Sequence, residues 1–231
     1  MRVLGLLGGM SWESSIEYER LINQFVREKL GGANSADLII RSFNFSDIEK
    51  LQEAGDWKAA GEVLSDAARR LEAAGAEAIV LCTNTMHVLA DEIQKSVNIP
   101  LLHIADATGE AIAQAGISKV LLLGTRYTME KDFYRGRLEH KFELEVKVPT
   151  EVQRREIHRI IYEELVRGIV SDNSRAFYLG VIDEFKSAGV EGVIAGCTEI
   201  ELLVKPEHVD LDYFPTTKLH STAAAVFALA E

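Results

Sequence analysis

Short apolar runs, each bounded by glycine or polar residues, recur along the chain at 3–7, 37–40, 78–81, 101–104, 120–123, 143–146 and 192–195. They predict strands. Between them lie longer stretches with helical spacing, at 14–30, 57–74, 88–96, 105–115, 129–140, 151–167 and 174–187, and a last helix is predicted at 219–230. Strands alternating with helices of this length imply right-handed βαβ crossovers and parallel sheets. No low-complexity segment or long polar linker interrupts the pattern.

The pattern occurs twice. "AGAEAIVLCT" (74–83) resembles "AGVEGVIAGCT" (188–198), and "LGLLGGM" (4–10) resembles "VLLLGTR" (120–126). Gly8 and Gly124 are 116 residues apart, and Gly75 and Gly189 are 114 apart. The chain therefore reads as two similar α/β halves, each opening with a strand that ends in Leu-Leu-Gly. The expected halves are 1–105 and 106–213. Ligands of open parallel sheets bind beyond the carboxyl ends of the strands. Gly8-Gly9-Met10, Thr83-Asn84-Thr85, Thr125-Arg126-Tyr127-Thr128 and Cys197-Thr198-Glu199 all fall there. Two doubly wound domains facing each other would bring these loops to one cleft.

The repeat also sets a register. Thr83 is eight residues beyond Gly75, and Cys197 is eight beyond Gly189. Cys82 then stands opposite Gly196, and Thr83 opposite Cys197. Because side chains alternate across a strand, a shift of one residue exchanges faces. Cys82 is expected to point away from the cleft and Thr83 into it, unless a one-residue bulge intervenes.

Composition narrows the function classes. A length of 231 residues accommodates one large domain or two small ones with real cores. A formal net charge of −11 disfavours nucleic acid as a partner, since phosphate contacts need a basic surface. The N-terminal run reads as a strand rather than a signal peptide, and no run approaches the roughly 20 apolar residues that cross a bilayer. Two cysteines do not make a disulfide framework. A cytoplasmic enzyme with reduced thiols is expected, without membrane contact. "GLLGGM" does not match GxGxxG and lacks a P-loop lysine, and the six histidines show no zinc-ligand spacing. No metal or nicotinamide site is expected.

Four segments together, "GLLGGMSWESSIEYERLIN" (5–23), "NTMH" (84–87), "LLGTRYTME" (122–130) and "AGCTEI" (195–200), resemble the aspartate/glutamate racemase family over essentially the whole chain. The resemblance is strongest to its bacterial branch of L-aspartate/glutamate-specific or broad-specificity amino-acid racemases. It implies a cofactor-free isomerase that interconverts L- and D-amino acids, with aspartate and glutamate as first substrates, and a homodimer. It also implies that 214–231 joins the first domain. The family's first motif reads Cys-Asn-Thr-x-His; here Cys-Thr-Asn-Thr-Met-His puts Thr83 where the family has its first cysteine. The second motif, Gly-Cys-Thr-Glu, is intact at Cys197. Val166 stands where the family often supplies a lysine.

Racemisation without a cofactor needs a base, an acid on the opposite face and donors for developing charge. The resemblance implies Cys197 as base for the L-enantiomer and Thr83 on the other face. A free cysteine titrates near 8.5, and loop N–H groups or helix N-termini lower that value. Met10, Gln52, Asn84, Thr85, Thr125, Thr128, Thr198 and Glu199 are the candidate substrate-binding residues. Each has a structural alternative: a core cysteine at 82, a helix cap at Thr83, a core plug at Met10, a solvated polar residue at Gln52, a packed histidine at His87. Tyr127 is a candidate to close the cleft. Competing functions are a racemase of neutral amino acids such as homoserine, a one-cysteine decarboxylase or cis–trans isomerase, and a non-catalytic amino-acid sensor.

Overall fold

The computed structural model describes residues 1–230. The chain divides into two compact units, Met1–Ile104 together with the segment from His220 onward, and Ala105–Leu219. The first runs β1 (Leu4–Gly8), α1 (Trp12–Leu30), β2 (Leu38–Ser42), α2 (Phe45–Glu53), α3 (Trp57–Ala73), β3 (Ala78–Leu81), α4 (Ala90–Ser96) and β4 (Leu101–Leu102). Helix α5 (Ile104–Gln114) leads into the second, which continues β5 (Lys119–Gly124), α6 (Arg126–Glu130), α7 (Asp132–Phe142), β6 (Glu145–Lys147), α8 (Glu151–Arg159), α9 (Asp172–Ser187), β7 (Gly192–Gly196), α10 (Ile200–Leu203) and β8 (Asp212–Pro215). Helix α11 (Thr216–Leu229) spans the second boundary. That boundary lies six residues beyond the expected 213/214, because β8, which no apolar run announces, pairs with β7.

Each unit holds one four-stranded parallel sheet, ordered β2-β1-β3-β4 in the first and β6-β5-β7-β8 in the second. The strand order reverses between β1 and β3, and between β5 and β7. Such reversals open a crevice at the carboxyl ends of the two central strands, where α/β sheets bind ligands. The central strands β1, β3 and β7 are buried along their whole length, whereas β2 lies at an edge and is partly exposed.

Side-chain alternation sorts the first sheet cleanly. Leu4, Leu6, Ala78, Val80 and Cys82 pack with Tyr18, Ile22 and Val26 of α1 and with Ala224, Ala225 and Ala228 of α11. Leu7, Ile79 and Leu81 face the opposite layer, with Leu64 and Leu71 of α3 and Ile93 of α4. In the second sheet, Leu121, Leu123, Val193 and Ala195 form one core with Ile157 of α8 and Tyr178 and Val181 of α9.

Several predicted boundaries move. The stretch predicted as strand 101–104 gives a two-residue β4, because Ile104 already opens α5. The helix predicted from 88 is preceded by a 3-10 turn at Thr85–Leu89. The stretch 151–167 is α-helical only to Arg159; a π turn (Ile160–Glu164) and a 3-10 turn (Leu165–Arg167) follow, so Val166 lies in the irregular end. Helices α2, α6 and α10 are too short to show a long periodic pattern.

Close packing of β1 on α3 leaves no room at Gly5, where an added Cβ would stand 2.8 Å from Ala76 Cβ and 3.1 Å from Leu71 Cβ. Gly5→Ala is expected to lower the free energy of unfolding by about 1–3 kcal/mol through overpacking. A urea titration giving an unchanged midpoint would show that this layer yields more easily than its geometry indicates.

Candidate active site

The carboxyl ends of β1 and β3 are built from glycine, serine and main-chain hydrogen bonds. Gly9 sits at φ +82, and a Cβ there would meet the Phe43 main chain at 2.3 Å, so only glycine fits the turn. Its amide donates to Ser15 Oγ (2.6 Å), and Ser15 Oγ donates to the Ser11 carbonyl (3.0 Å). Ser11 caps α1 by accepting from the Ser14 amide (3.3 Å). Ser14 Oγ in turn donates to the Cys82 carbonyl at 3.0 Å. These serines were not among the candidate residues; the Ser11-x-x-Ser14 spacing is the sequence signal for the cap.

Strand pairing gives an independent measure of register. Leu7 is opposite Leu81, and Leu123 is opposite Ala195. Since Leu7 and Leu123 correspond in the repeat, Leu81 corresponds to Ala195, Cys82 to Gly196 and Thr83 to Cys197. No bulge disturbs this pairing. Gly196 is glycine for a local reason: a Cβ there would lie 2.7 Å from the Leu123 carbonyl oxygen.

Cys82 is fully buried in the α1–α11 layer, and its Sγ lies 3.7 Å from the Val80 carbonyl. Burial pushes this thiol far above its ordinary range, as for an inert core residue. Thr83, two residues past the end of β3, retains 8% exposure. Its amide donates to the Leu81 carbonyl (2.8 Å), and its carbonyl accepts from His87 Nδ1 (2.7 Å). Asn84 precedes the 3-10 turn that Thr85 opens, and both are nearly buried. Gln52, on α2, is buried rather than solvated, with Nε2 directed at Met86 Sδ (2.9 Å). Met10 packs in the α3–α4 layer as a core plug.

His87 is wholly packed. Burial holds it well below the ordinary histidine range, and His103 and His220 act in the same direction. His220 is also buried: its Nδ1 pairs with the Tyr18 hydroxyl (2.8 Å) and its Nε2 donates to the Leu102 carbonyl (2.7 Å).

In the second unit, Cys197 is half-buried just beyond β7 and packs against the core that contains Val193 and Ala195. Its thiol donates to Glu199 Oε2 at 2.9 Å. Burial raises this thiol well above its ordinary value, and the Glu199 carboxylate adds to the rise. The expected lowering by loop N–H groups is thus reversed: burial, with a carboxylate two residues away, outweighs them. Thr125 caps α6 by accepting from the Thr128 amide (3.3 Å), and the two hydroxyls lie 3.2 Å apart. Thr128 is fully buried, with its side chain against Gly124 and Gly196. Thr198 is half-buried beside Cys197. Tyr127 stacks edge-on with His158, ring centroids 5.9 Å apart, and the Arg126 amide donates to His158 Nδ1 (3.3 Å). Among the described residues, no group of three or more His, Cys, Asp or Glu side chains is placed to hold a metal ion, and no helix is long and apolar enough to cross a membrane.

Two parallel α/β sheets of one strand order, each ending in a repeated polar cluster at its reversal point, are the architecture of the Asp/Glu racemases. The profile of the Asp/Glu/Hydantoin racemase family matches residues 7–229, and the chain belongs to that family. A Yersinia pestis protein, whose crystal structure is described as that of a "putative Asp/Glu Racemase", is 54% identical with a TM-score of 0.94, covering 100% of both chains. An aspartate racemase homologue from Pyrococcus horikoshii OT3 is 38% identical with a TM-score of 0.86, again over 100% of both chains. The broad specificity amino-acid racemase RacX of Bacillus subtilis (strain 168) is 26% identical over 133 residues, which are 57% of this chain and 58% of that protein. The match to RacX thus spans less than two thirds of its length.

Two expectations follow. In the native protein, an alkylating reagent should modify Cys197 slowly at neutral pH and faster as pH rises, and should reach Cys82 only on unfolding. Native labelling of Cys82, read by peptide mass, would contradict its burial. The second concerns acid stability. Burial lowers His220 to about 4, against about 6.5 in an unfolded chain. Between these values the unfolded chain binds the extra proton, so stability is full above about 6.5 and is lost as pH falls towards 4. His220→Gln should flatten the fall of the urea midpoint over that window, with His87 and His158, which burial also lowers, contributing to the remaining slope. An unchanged slope would remove His220 from the acid response.

Proposed function

We propose that the protein is a cofactor-independent amino-acid racemase in which Cys197 removes the α-proton of the L-enantiomer and Thr83 serves the opposite face. The observation that carries this reading is the equivalence of Thr83 and Cys197: each is the second residue past the last corresponding strand pair, at the reversal point of its own sheet. Removal and return of a proton on opposite faces of one carbon needs two such groups, and the proposal requires both strand ends to act on one substrate.

Burial and the neighbouring Glu199 keep the proton on the Cys197 sulfur, and the thiol donates it to Glu199 Oε2; the base is unmasked when that proton leaves. Passing it to Glu199 gives a thiolate and a neutral carboxyl group without adding a second buried charge. The thiolate then takes the α-proton, and the Thr83 hydroxyl, or a water it holds, delivers a proton to the other face. Asn84, Thr85, Thr125 and Thr198 are assigned as donors to the substrate carboxylate. Thr128 supports Thr125 through their paired hydroxyls, and Met10 and Gln52 line the first unit's side.

Aspartate and glutamate are the first substrates to test, since two of the relatives bear those names. A second reading, neutral amino acids, is favoured by charge. Glu199 and Glu201 both act on Cys197, and Val166 brings no cation to the irregular end of α8. A chiral assay of all proteinogenic amino acids in D₂O, without added pyridoxal phosphate, tests both; absence of α-deuterium in every substrate would leave a sensor instead.

A threonine hydroxyl ionises far less readily than a thiol, so the wild type should be slow, with a lower kcat from the D-enantiomer than from L. The free enantiomers have equal free energy, so kcat/KM must match in the two directions, and the lower kcat must come with a lower KM. Cys197→Ser should lower the rate by orders of magnitude in a folded protein. Thr83→Cys should raise it, most in the D-to-L direction, within the 10²–10⁴-fold that general acid–base groups contribute. Initial rates from each pure enantiomer give the answer; no gain in a folded Thr83→Cys variant would remove Thr83 from the second face.

A further inference from the structure

We propose that His87 is a positioning residue, fixing the main chain on the carboxyl side of Thr83 and so the direction of its side chain. The proposal rests on the assignment of Thr83 to the second face and deepens it. A side chain's direction follows from the two peptide planes that meet at its Cα. The plane before Thr83 is held at both ends: the Cys82 carbonyl accepts from Ser14 Oγ (3.0 Å), and the Thr83 amide donates to the Leu81 carbonyl (2.8 Å). The plane after it is held at the Thr83 carbonyl by His87 Nδ1 (2.7 Å).

The tautomer of His87 follows from the Thr83 carbonyl, which can only accept: Nδ1 carries a ring proton. In the neutral ring that burial favours, Nε2 is bare and accepts from the Ile104 amide at 3.2 Å, with the Leu102 carbonyl also beside the ring. Ile104 opens α5, and its amide is one of the donors a helix start leaves without an intrahelical partner. His87 thus joins the Thr83 loop to the end of β4 through two buried bonds, one donated and one accepted, which only the neutral ring can make. His103 and His220 lie beside the ring, at centroid distances of 4.7 and 5.5 Å.

The second unit holds the corresponding carbonyl differently. The amide of His87 donates to the Asn84 carbonyl (3.1 Å), and at the corresponding position the amide of Glu201 donates to the Thr198 carbonyl (3.2 Å), but the Cys197 carbonyl, the counterpart of Thr83's, accepts from the Ile200 main-chain amide (3.1 Å). An ionised carboxylate cannot donate to a carbonyl, and Glu201 instead accepts from the Thr217 amide (3.2 Å).

The test is a set of variants assayed for racemisation with the full chain. His87→Gln keeps an acceptor near the Nε2 position but loses the donor to Thr83; His87→Asn keeps a donor near the Nδ1 position. His87→Gln should lower kcat on the order of tenfold to a hundredfold, the range that misplacement of a reacting group produces. His87→Asn should recover most of that loss. In a Thr83→Ala background, His87→Gln should change the residual rate less than about twofold, because its effect acts through the missing side chain. Equal losses in the Gln and Asn variants, additive losses in the Thr83→Ala background, or no loss in a folded His87→Gln protein would each overturn the proposal. If His87→Gln does not fold, His87→Met, which fills the ring's place without a donor to the Thr83 carbonyl, takes its place in the same cycle with Thr83→Ala. A Thr83→Ala protein as active as wild type would instead sink the assignment of Thr83, and an inactive wild type the racemase reading itself.

Discussion

The pairing of Leu7 with Leu81 governs much of what lies beyond it. In a parallel sheet buried on both faces, each residue's layer is decided by its parity along the strand. Ile79 and Leu81 face α3 and α4, so Cys82 must enter the α1–α11 layer and Thr83 must leave it. No local preference of cysteine for reactivity can override this, because turning Cys82 outward would expose Val80 and Ala78 with it. The same parity places Cys197 with Val193 and Ala195 in the second unit. The chain's two thiols therefore occupy non-equivalent positions: one fills a core, and the other ends a strand beside a carboxylate.

That carboxylate changes the electrostatics of the site. A half-buried thiolate alone would be costly, and a thiolate beside a second negative charge more so. The Cys197 thiol avoids the cost by keeping its proton and donating it to Glu199 Oε2 at 2.9 Å. Tyr178, buried against the same region, has its hydroxyl bonded to the Ile157 carbonyl at 3.3 Å, and the negative charges around it, with burial, hold it neutral.

The sheets and most helices were legible in the sequence because their apolar runs are long or strictly bounded; the run at 78–81 and the helix from 57 are examples. β8 was not, since Asp212-Tyr213-Phe214-Pro215 mixes polar and apolar residues and ends in a proline, which an edge strand tolerates. The break in the helix beyond Arg159 was hidden because Ile160, Ile161 and Leu165 keep a helical spacing through the π turn. Of the candidate site, the Thr83–Cys197 register could be counted from the glycines. Part of the rise in the thiol's pKa could also have been anticipated, since Glu199 is two residues from Cys197, whereas the larger effect, burial, is set by packing. The roles of Ser14 and His87 could not, because their partners lie 68 and 17 residues away and are set by packing.

The two units resemble each other in topology yet surround Thr83 and Cys197 differently, and the difference follows the chemistry of those two side chains. Sulfur is large and polarisable, and Cys197 has its own proton partner in Glu199, so its setting is electrostatic. A threonine hydroxyl has neither advantage; what the fold can still control is where it points. The bonds around Thr83 do that, with Ser14 and Leu81 holding one peptide plane and His87 the other. Where the second unit places Glu201, a donor to the main chain would be redundant, and the carboxylate is free to satisfy the start of α11 instead. Divergence between the halves thus extends past the exchanged side chain to the residues that hold it, with the common strand register preserved beneath both.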